Sequence, residues 1–278
     1  MNQIIHGLPP HEYHASGGVS NSMLSDFAIS PYHCWALHHA PGRPTREPTD
    51  AMRAGTLLHT MVLEPSEVPR RYIVRPDGLD MRTTAGKAWA AQADGLEIIG
   101  AAQYAAAEAQ RDAILAVPEL AALLNRGTAE VSAYWTDSAT GLQCRMRADW
   151  VHPLDDGRVM LLDLKTAADV TPDGFARSIA QYGYHRQAAW YSTGYSQAAG
   201  VEVCDFVLGV VSKAYPYVAA AYLIDADSIQ QGRDECAEML ERYAECQRTG
   251  YWPAFVGYQS ISLPAWAKRS EEVEVSFV

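Results

Sequence analysis

The sequence lacks any long apolar run, and we expect no secretory leader. No stretch approaches the roughly 18 consecutive apolar residues that a membrane-spanning helix needs. The opening residues, MNQIIHGLPPHEYH, have neither a basic start nor the apolar segment of a signal peptide. We therefore expect a cytoplasmic protein with no membrane partner.

Paired cysteines and an excess of positive charge are also missing. The 5 cysteines are scattered singly, without a Cys-x-x-Cys pair, so we expect buried thiols rather than a zinc or iron–sulfur site. The formal net charge of −11 argues against a protein that coats nucleic acid non-specifically. A local basic cleft is still compatible with this charge, because several cations follow one another in mid-chain: Arg145, Arg147, Lys165, Arg177 and Arg186.

The 278 residues have the composition of an ordinary globular protein, with 48% hydrophobic and 20% charged residues. This is enough apolar material for a sizeable core, and the chain contains no internal repeat. We expect a single domain over residues 1–278. A helical segment over about residues 1–50 is expected to be packed on it or linked to it.

The most informative stretch is VMLLDLKT, residues 159–166. Its short apolar run is typical of a buried strand. Because side chains alternate along a strand, Asp163 and Lys165 are predicted on one face and Leu164 on the other. A carboxylate and an ammonium at such a strand end form either a structural ion pair or part of a metal site that activates water. A lone Asp-x-Lys is more often structural.

Two segments of period two precede this strand. EVSAYWT and LQCRMRADWV are joined by the hairpin-like DSATG, so the three strands predict a meander in which Arg145, Arg147 and Asp149 share one face. Asp149 and Asp163 then lie near neighbouring strand ends, with Glu130 as a further carboxylate. Converging carboxylates bind a hard cation such as Mg²⁺. With an adjacent lysine, they are the parts needed to hydrolyse a phosphodiester.

Helical patterns flank these strands. A helix over residues 51–63 contains His59, which taken alone is more often a hydrogen-bonded core residue than a ligand. A helix over residues 184–199 carries Gln187 and Tyr191 one turn apart on the same face. Strands over residues 203–211 and 217–224 and a long acidic helix over 226–249 follow. Together these elements predict an α/β fold with a mixed central sheet of about five strands and helices on both faces.

The order of Asp149, then Asp163-Leu164-Lys165, then Gln187-x-x-x-Tyr191 resembles the PD-(D/E)XK nuclease superfamily, which implies a restriction-endonuclease-like core. More narrowly, the chain resembles the branch of RecB-type nuclease domains and phage exonucleases, and within it the C-terminal nuclease domain of exonuclease VIII (RecE). One departure is Ala148, which stands where that pattern has proline. The resemblance is carried by GTLLHTMVLEP, TAGKAW, YWTDSATGLQCRMRADWV, DLKTAADV, YGYHRQAAWY and the closing LPAWA.

The resemblance implies roles for individual residues. Asp149 and Asp163 would bind Mg²⁺ with help from the Leu164 carbonyl, and Lys165 would position the attacking water. His59 matches a histidine that lies at the metal site in this branch, and Glu130 matches an acidic position before the hairpin. The helix of the Q-x-x-x-Y motif would line the DNA end, and the predicted DNA contacts are Gln187, Tyr191, Arg145, Arg147 and Arg186.

By the same resemblance we expect a DNA exonuclease that uses Mg²⁺ and accepts Mn²⁺. The four-cysteine spacing with which some relatives bind an iron–sulfur cluster is missing, so no cluster is expected. The enzyme would act 5′→3′ on linear double-stranded DNA ends and leave 3′ overhangs for recombination. A strand-annealing protein would be its partner, and the enzyme would assemble into a ring-like homo-oligomer. Two alternatives stay open: a structure-specific endonuclease with the same metal site, and a catalytically silent DNA-binding or assembly module.

Overall fold

A computed structural model of the protein describes residues 2–44 and 47–264. Those residues form eight strands and eleven α-helices. The strands are β1 (Gln3–Ile5), β2 (Tyr72–Arg75), β3 (Glu97–Gly100), β4 (Thr128–Thr136), β5 (Gln143–Pro153), β6 (Val159–Ala167), β7 (Val203–Ser212) and β8 (Ala219–Leu223). The helices are α1 (Pro10–Ala15), α2 (Asn21–Ile29), α3 (Pro31–His38), α4 (Asp50–Leu63), α5 (Val68–Arg71), α6 (Thr84–Ala90), α7 (Ala101–Leu115), α8 (Pro118–Leu124), α9 (Pro172–Tyr182), α10 (Tyr184–Ala199) and α11 (Ala226–Thr249).

The central sheet has six strands in the order β1-β4-β5-β6-β7-β8. Strands β6 and β7 are parallel and the other neighbours are antiparallel. This confirms the predicted α/β class, the mixed sheet and the β4-β5-β6 meander. The prediction of about five strands was one short, because β1 adds to the edge of β4 through only three residues, too few for an alternating pattern to be visible.

Helices cover both faces of the sheet and enclose two main core clusters. The larger cluster joins α2, α10 and α11 to the sheet and includes Phe27, Trp135 and Leu161. The second lies on the other face, where Leu162 and Leu164 of β6 meet residues of α4, α7 and α8. Alternate residues of β6 therefore enter different layers, as expected for a strand buried on both sides. Helix α10 approaches closely at Gly194, where a Cβ would lie 2.4 Å from the Trp135 ring.

A second, two-stranded sheet supports α4. Strands β2 and β3 pair in parallel and share a small core with α4 and α7, in which Leu57 and Met61 meet Tyr72 and Ile99. Helix α4 is thus packed from two sides, against the central sheet through Leu58 and against the small sheet through Leu57. This packing fixes the helix that carries His59. No helix within the described ranges is long and apolar enough to cross a bilayer.

The N-terminal segment packs against the sheet through a buried arginine. Arg145 of β5 donates hydrogen bonds through Nη1 to the Tyr13 carbonyl (2.5 Å), to the Ser16 carbonyl and to Ser16 Oγ (2.8 Å). Its guanidinium carbon lies 5.0 Å from the centre of the Tyr13 ring. Arg145 therefore ties α1 and the residues after it to β5.

Arg145→Ala is expected to destabilise the protein by about 2–3 kcal/mol, because hydrogen bonds made by a buried charged group are lost and two carbonyls lose their donor. Chemical denaturation measures this loss, and limited proteolysis should show faster cleavage before residue 17. The matched control is Arg126→Ala, which removes a solvent-exposed pair with Asp155 and should cost less than about 0.5 kcal/mol. Equal losses in the two variants would show that Arg145 does not anchor the segment.

Candidate active site

Glu130 and Asp149 lie where the regular pattern of the β4–β5 ladder is interrupted. Val131 and Ala148 face each other in the larger core cluster, whereas the next pair, Ala129 and Trp150, packs against the second cluster. Residues two apart on a regular strand share a face, so both strands change face between these pairs. Glu130 itself has a left-handed φ of 53°. Such a conformation costs of order 1–3 kcal/mol in a non-glycine residue and is typical of functional sites.

His59 on α4 completes a cluster with these two carboxylates. Its Nδ1 lies 3.4 Å from Asp149 Oδ2, and its Nε2 lies 3.1 Å from the Leu164 carbonyl oxygen. One donor atom each from His59, Glu130 and Asp149 lie within 4.8 Å of one another. Within residues 2–44 and 47–264, this is the group of histidine, cysteine, aspartate and glutamate donors close enough to share a metal ion.

The chemistry of this donor set fits a divalent cation. Two carboxylates and one imidazole offer oxygen and nitrogen ligands of the kind that bind Mg²⁺ or Mn²⁺. If His59 donates Nε2–H to the Leu164 carbonyl, Nδ1 is left to face the carboxylates, as in many metal-binding histidines. Burial, together with the negative charge of Asp149, raises the pKa of Glu130 to about 7. A cation between the two carboxylates would offset this repulsion.

Asp163 and Lys165 of β6 form a buried pair beside this cluster. Lys165 Nζ makes an ion pair with Asp163 Oδ2, although that oxygen has no partner in hydrogen-bond geometry among the described residues. Asp163 Oδ1 accepts a hydrogen bond of 2.6 Å from Gln187 Nε2. Asp149 links the two groups, because its Oδ2 accepts a hydrogen bond of 2.8 Å from the Leu164 amide.

Burial and charge act in opposite directions on this pair. Burial raises the pKa of Asp163 even though the neighbouring ammonium lowers it. Burial lowers the pKa of Lys165, but the charges of Asp163 and Asp149 raise it by more, so its pKa lies above the ordinary lysine value. A raised pKa favours the ammonium form of Lys165, which donates hydrogen bonds.

A cavity of about 890 Å³ opens over the His59, Glu130 and Asp149 cluster. Its walls come from the N-terminal segment, α4, β4, β5 and α10, and both residues of the Q-x-x-x-Y motif line it. Gln187 is buried and bonded to Asp163. Tyr191 packs the edge of its ring against Phe206, with 6.1 Å between ring centres. Gln187 thus contacts the predicted catalytic residue Asp163 directly and is not a surface residue.

The three arginines predicted to contact DNA occupy different environments. Arg147 lines the cavity, where it lies 3.8 Å from Glu130 and 4.5 Å from the centre of the Tyr13 ring. Arg145 does not line it, because the N-terminal segment covers that part of the face. Arg186 does not line it either, because it turns to α11 and donates to Glu235 at 3.0 Å. The DNA contacts predicted for Arg145 and Arg186 stay predictions, and neither residue lines the cavity that holds the candidate metal site.

A search against protein-family models places residues 20–259 in one family, a "PDDEXK-like domain of unknown function (DUF3799)". The chain belongs to this family. All the predicted site residues lie within the matched range. The predicted closing motif begins inside the described residues with Leu263 and Pro264, and its remaining three residues lie outside them.

Solved structures give a second comparison for this PDDEXK-like chain. A crystal structure described as a "Putative exonuclease" from Eubacterium rectale aligns over 93% of this chain and 97% of its own, with a TM-score of 0.56 and 15% identity. At that identity the similarity establishes the shared fold alone. SSO0001 aligns over 68% of this chain and 86% of its own, with a TM-score of 0.30 and 13% identity. No curated protein sequence is detectably similar to this chain.

Some residues of the cavity were not predicted from the sequence. Leu8 and Tyr13 line it because the N-terminal segment folds over β5, which no local pattern indicates. Tyr182 and Tyr184 line it as well, one on each side of Gly183. Two tyrosines around a glycine directly before the Gln187 helix are visible in the sequence and could have indicated this pair.

Proposed function

We propose that the protein is a divalent-metal-dependent deoxyribonuclease. The observation that carries the proposal is the convergence of His59, Glu130 and Asp149 in one cavity. The buried Asp163–Lys165 pair lies on β6 on either side of Leu164, whose amide donates to Asp149. Membership of a PDDEXK-like family and the fold shared with a protein described as an exonuclease support the same conclusion.

The residues of the cavity and of the adjoining β6 strand would divide the chemistry between them. When bound, Mg²⁺ would polarise the phosphate and supply an activated water. His59, Glu130 and Asp149 would hold the ion, and the predicted contribution of Asp163 and the Leu164 carbonyl remains part of the proposal. Lys165, as a cation, would orient the attacking water and stabilise charge that develops on the phosphate. Asp163 would hold the Lys165 ammonium in place, and Gln187 would hold Asp163.

We propose further that the substrate is a linear double-stranded DNA end, degraded 5′→3′ to leave a 3′ overhang for a strand-annealing partner in recombination. The same proposal includes Mg²⁺ as the natural ion, with Mn²⁺ as a substitute. It also includes a ring-like homo-oligomer and a cytoplasmic location. They are supported by the resemblance of the ordered motifs to phage exonucleases. A single domain over the whole chain, with its N-terminal segment packed on β5, is part of it too.

The experiment compares linear duplex with covalently closed circular duplex of the same sequence in Mg²⁺. An exonuclease releases nucleotides from the linear form only, and 5′- or 3′-terminal labels give the polarity. Cleavage of the closed form or of branched DNA would instead identify a structure-specific endonuclease. Binding of both forms without cleavage in Mg²⁺ or Mn²⁺ would identify a catalytically silent DNA-binding module.

Gln187→Ala is expected to lower turnover about 10- to 100-fold, because Asp163 loses the hydrogen bond that orients it. The loss should be similar on duplex DNA and on bis(p-nitrophenyl) phosphate, a small diester that needs only the metal, water and Lys165. Both rates are measured on the same preparation, and thermal melting checks that the variant is folded. A loss confined to DNA would instead favour the DNA-contacting role that the Q-x-x-x-Y motif predicts.

A further inference from the structure

An exposed tyrosine lies on the rim of the candidate active site. The Tyr182 side chain is 58% exposed and lines the cavity that also contains His59, Glu130 and Asp149. Among the described residues, its hydroxyl has no hydrogen-bond partner. An aromatic ring in this position is not needed for the core and is free to meet a ligand.

The backbone between α9 and α10 fixes the orientation of this ring. Gly183 caps α9 with a left-handed φ of 69° and separates the two tyrosines. As a result the rings of Tyr182 and Tyr184 lie 5.7 Å apart with 31° between their planes. This separation is within the range of favourable aromatic pairs.

Tyr184 connects the exposed ring to the predicted catalytic lysine. Lys165 Nζ lies 4.9 Å from the centre of the Tyr184 ring, so the ammonium makes a cation–π contact with this ring. The Tyr184 ring also lies 6.0 Å from the ring of Phe175, which stacks on Tyr222 at 5.4 Å. The Tyr184 ring is therefore held in place by the core. Tyr182 lies one ring further out, towards solvent.

We propose that Tyr182 and Tyr184 form a stacking platform for a nucleobase of the strand being cleaved, with Tyr182 as the ring that contacts the base. The inference rests on the proposed function and specifies how a DNA strand is held. Every base has a π-face, so such a platform accepts all four bases and suits a nuclease that reads no sequence. Only an unpaired base can present its face in this way. The platform therefore selects a frayed or single-stranded end next to Lys165.

Tyr32 provides an internal comparison. Its side chain is 50% exposed and its ring stacks on Trp35 at 5.8 Å and 30°, almost the geometry of the Tyr182–Tyr184 pair. Tyr32 does not line the cavity. Any general effect of removing an exposed, stacked tyrosine should therefore appear equally in Tyr32→Ala.

The test uses a duplex with 2-aminopurine as a terminal base and a separate fluorescein at the far end, in Ca²⁺ to hold the complex without cleavage. Fluorescein anisotropy reports binding, and 2-aminopurine fluorescence reports stacking. Tyr182→Ala should bind the duplex about tenfold more weakly, and its saturated complex should be brighter in 2-aminopurine than the wild-type complex. Tyr182→Phe and Tyr32→Ala should match the wild-type protein. Tyr32→Ala should also hydrolyse bis(p-nitrophenyl) phosphate at the wild-type rate.

The outcomes separate this inference from the proposed function. If Tyr182→Ala binds the duplex as tightly as the wild-type protein and its complex gives the same 2-aminopurine fluorescence, the stacking platform is overturned. The nuclease proposal would then still stand. An equal effect of Tyr32→Ala would also overturn it. A wild-type protein that binds no DNA in Ca²⁺, Mg²⁺ or Mn²⁺ would overturn the proposed function and the platform together.

Discussion

Asp149→Asn is expected to reduce Mg²⁺-dependent release of nucleotides from linear duplex by about a thousandfold. The substitution removes one of the two carboxylates in the three-donor cluster but keeps the side-chain shape. Its remaining oxygen can still accept the hydrogen bond from the Leu164 amide. We therefore expect the thermal unfolding midpoint to change little while the affinity for Mn²⁺ falls sharply. Release of acid-soluble nucleotides and calorimetric titration with Mn²⁺ measure the two effects.

Asp155→Asn is the matched control for this substitution. Asp155 lies near the same strand, but its side chain is 95% exposed in a surface pair with Arg126. The same chemical change there should leave turnover and Mn²⁺ affinity as they are. If Asp149→Asn digests DNA at the wild-type rate, Asp149 is not a ligand for the catalytic metal.

Lys165→Met is expected to lower turnover by about a hundredfold or more while Mn²⁺ still binds. Methionine keeps an apolar stem against the Tyr184 ring and removes the ammonium that neighbours Asp163. The buried Asp163 carboxyl loses its cation, so its pKa should rise further and it can be accommodated in the neutral form. Pre-steady-state cleavage measures the chemical step, and Mn²⁺ titration measures the metal site separately.

Lys87→Met serves as the control, because Lys87 is exposed on α6, away from the cavity. It should leave both measurements unchanged. Normal cleavage by Lys165→Met would exclude a role for the ammonium in the reaction. If Lys165→Met loses cleavage because it is already unfolded, as a thermal melt would show, the Asp163–Lys165 pair stabilises the fold instead.

The helices that frame the site could be predicted from the sequence. The predicted range 184–199 coincides with α10, because a capping glycine stands at each end of an amphipathic run. The predicted range 226–249 likewise coincides with α11, because Asp225 caps its start and Gly250 caps its end. The predicted hairpin and the central strand are also confirmed, since the alternating apolar pattern of β4 and β5 and the apolar run of β6 are local properties of the chain.

Features that depend on packing between distant parts of the chain could not be predicted from the sequence. Strict alternation predicted that Arg145, Arg147 and Asp149 share a face. Arg147 and Asp149 do line one cavity, but the N-terminal segment covers Arg145, and Trp150 packs against the other core cluster than Ala148 does. The short parallel pair β2–β3 was missed because its strands have four residues each and are separated by helical sequence. The approach of His59 to Asp149 depends on how α4 packs, and a histidine inside a helical pattern does not indicate it.

The proposed nuclease activity depends on a catalytic metal ion shared by His59, Glu130 and Asp149. A crystal structure of the wild-type protein in Mn²⁺, with anomalous scattering recorded above the manganese edge, tests it most directly. We expect an anomalous peak between these three side chains, about 2.0–2.3 Å from at least one carboxylate oxygen of Asp149. The same peak should be absent from crystals of Asp149→Asn. If crystals of active wild-type protein show no peak in this cavity, or show manganese only elsewhere, these three residues do not hold the catalytic metal.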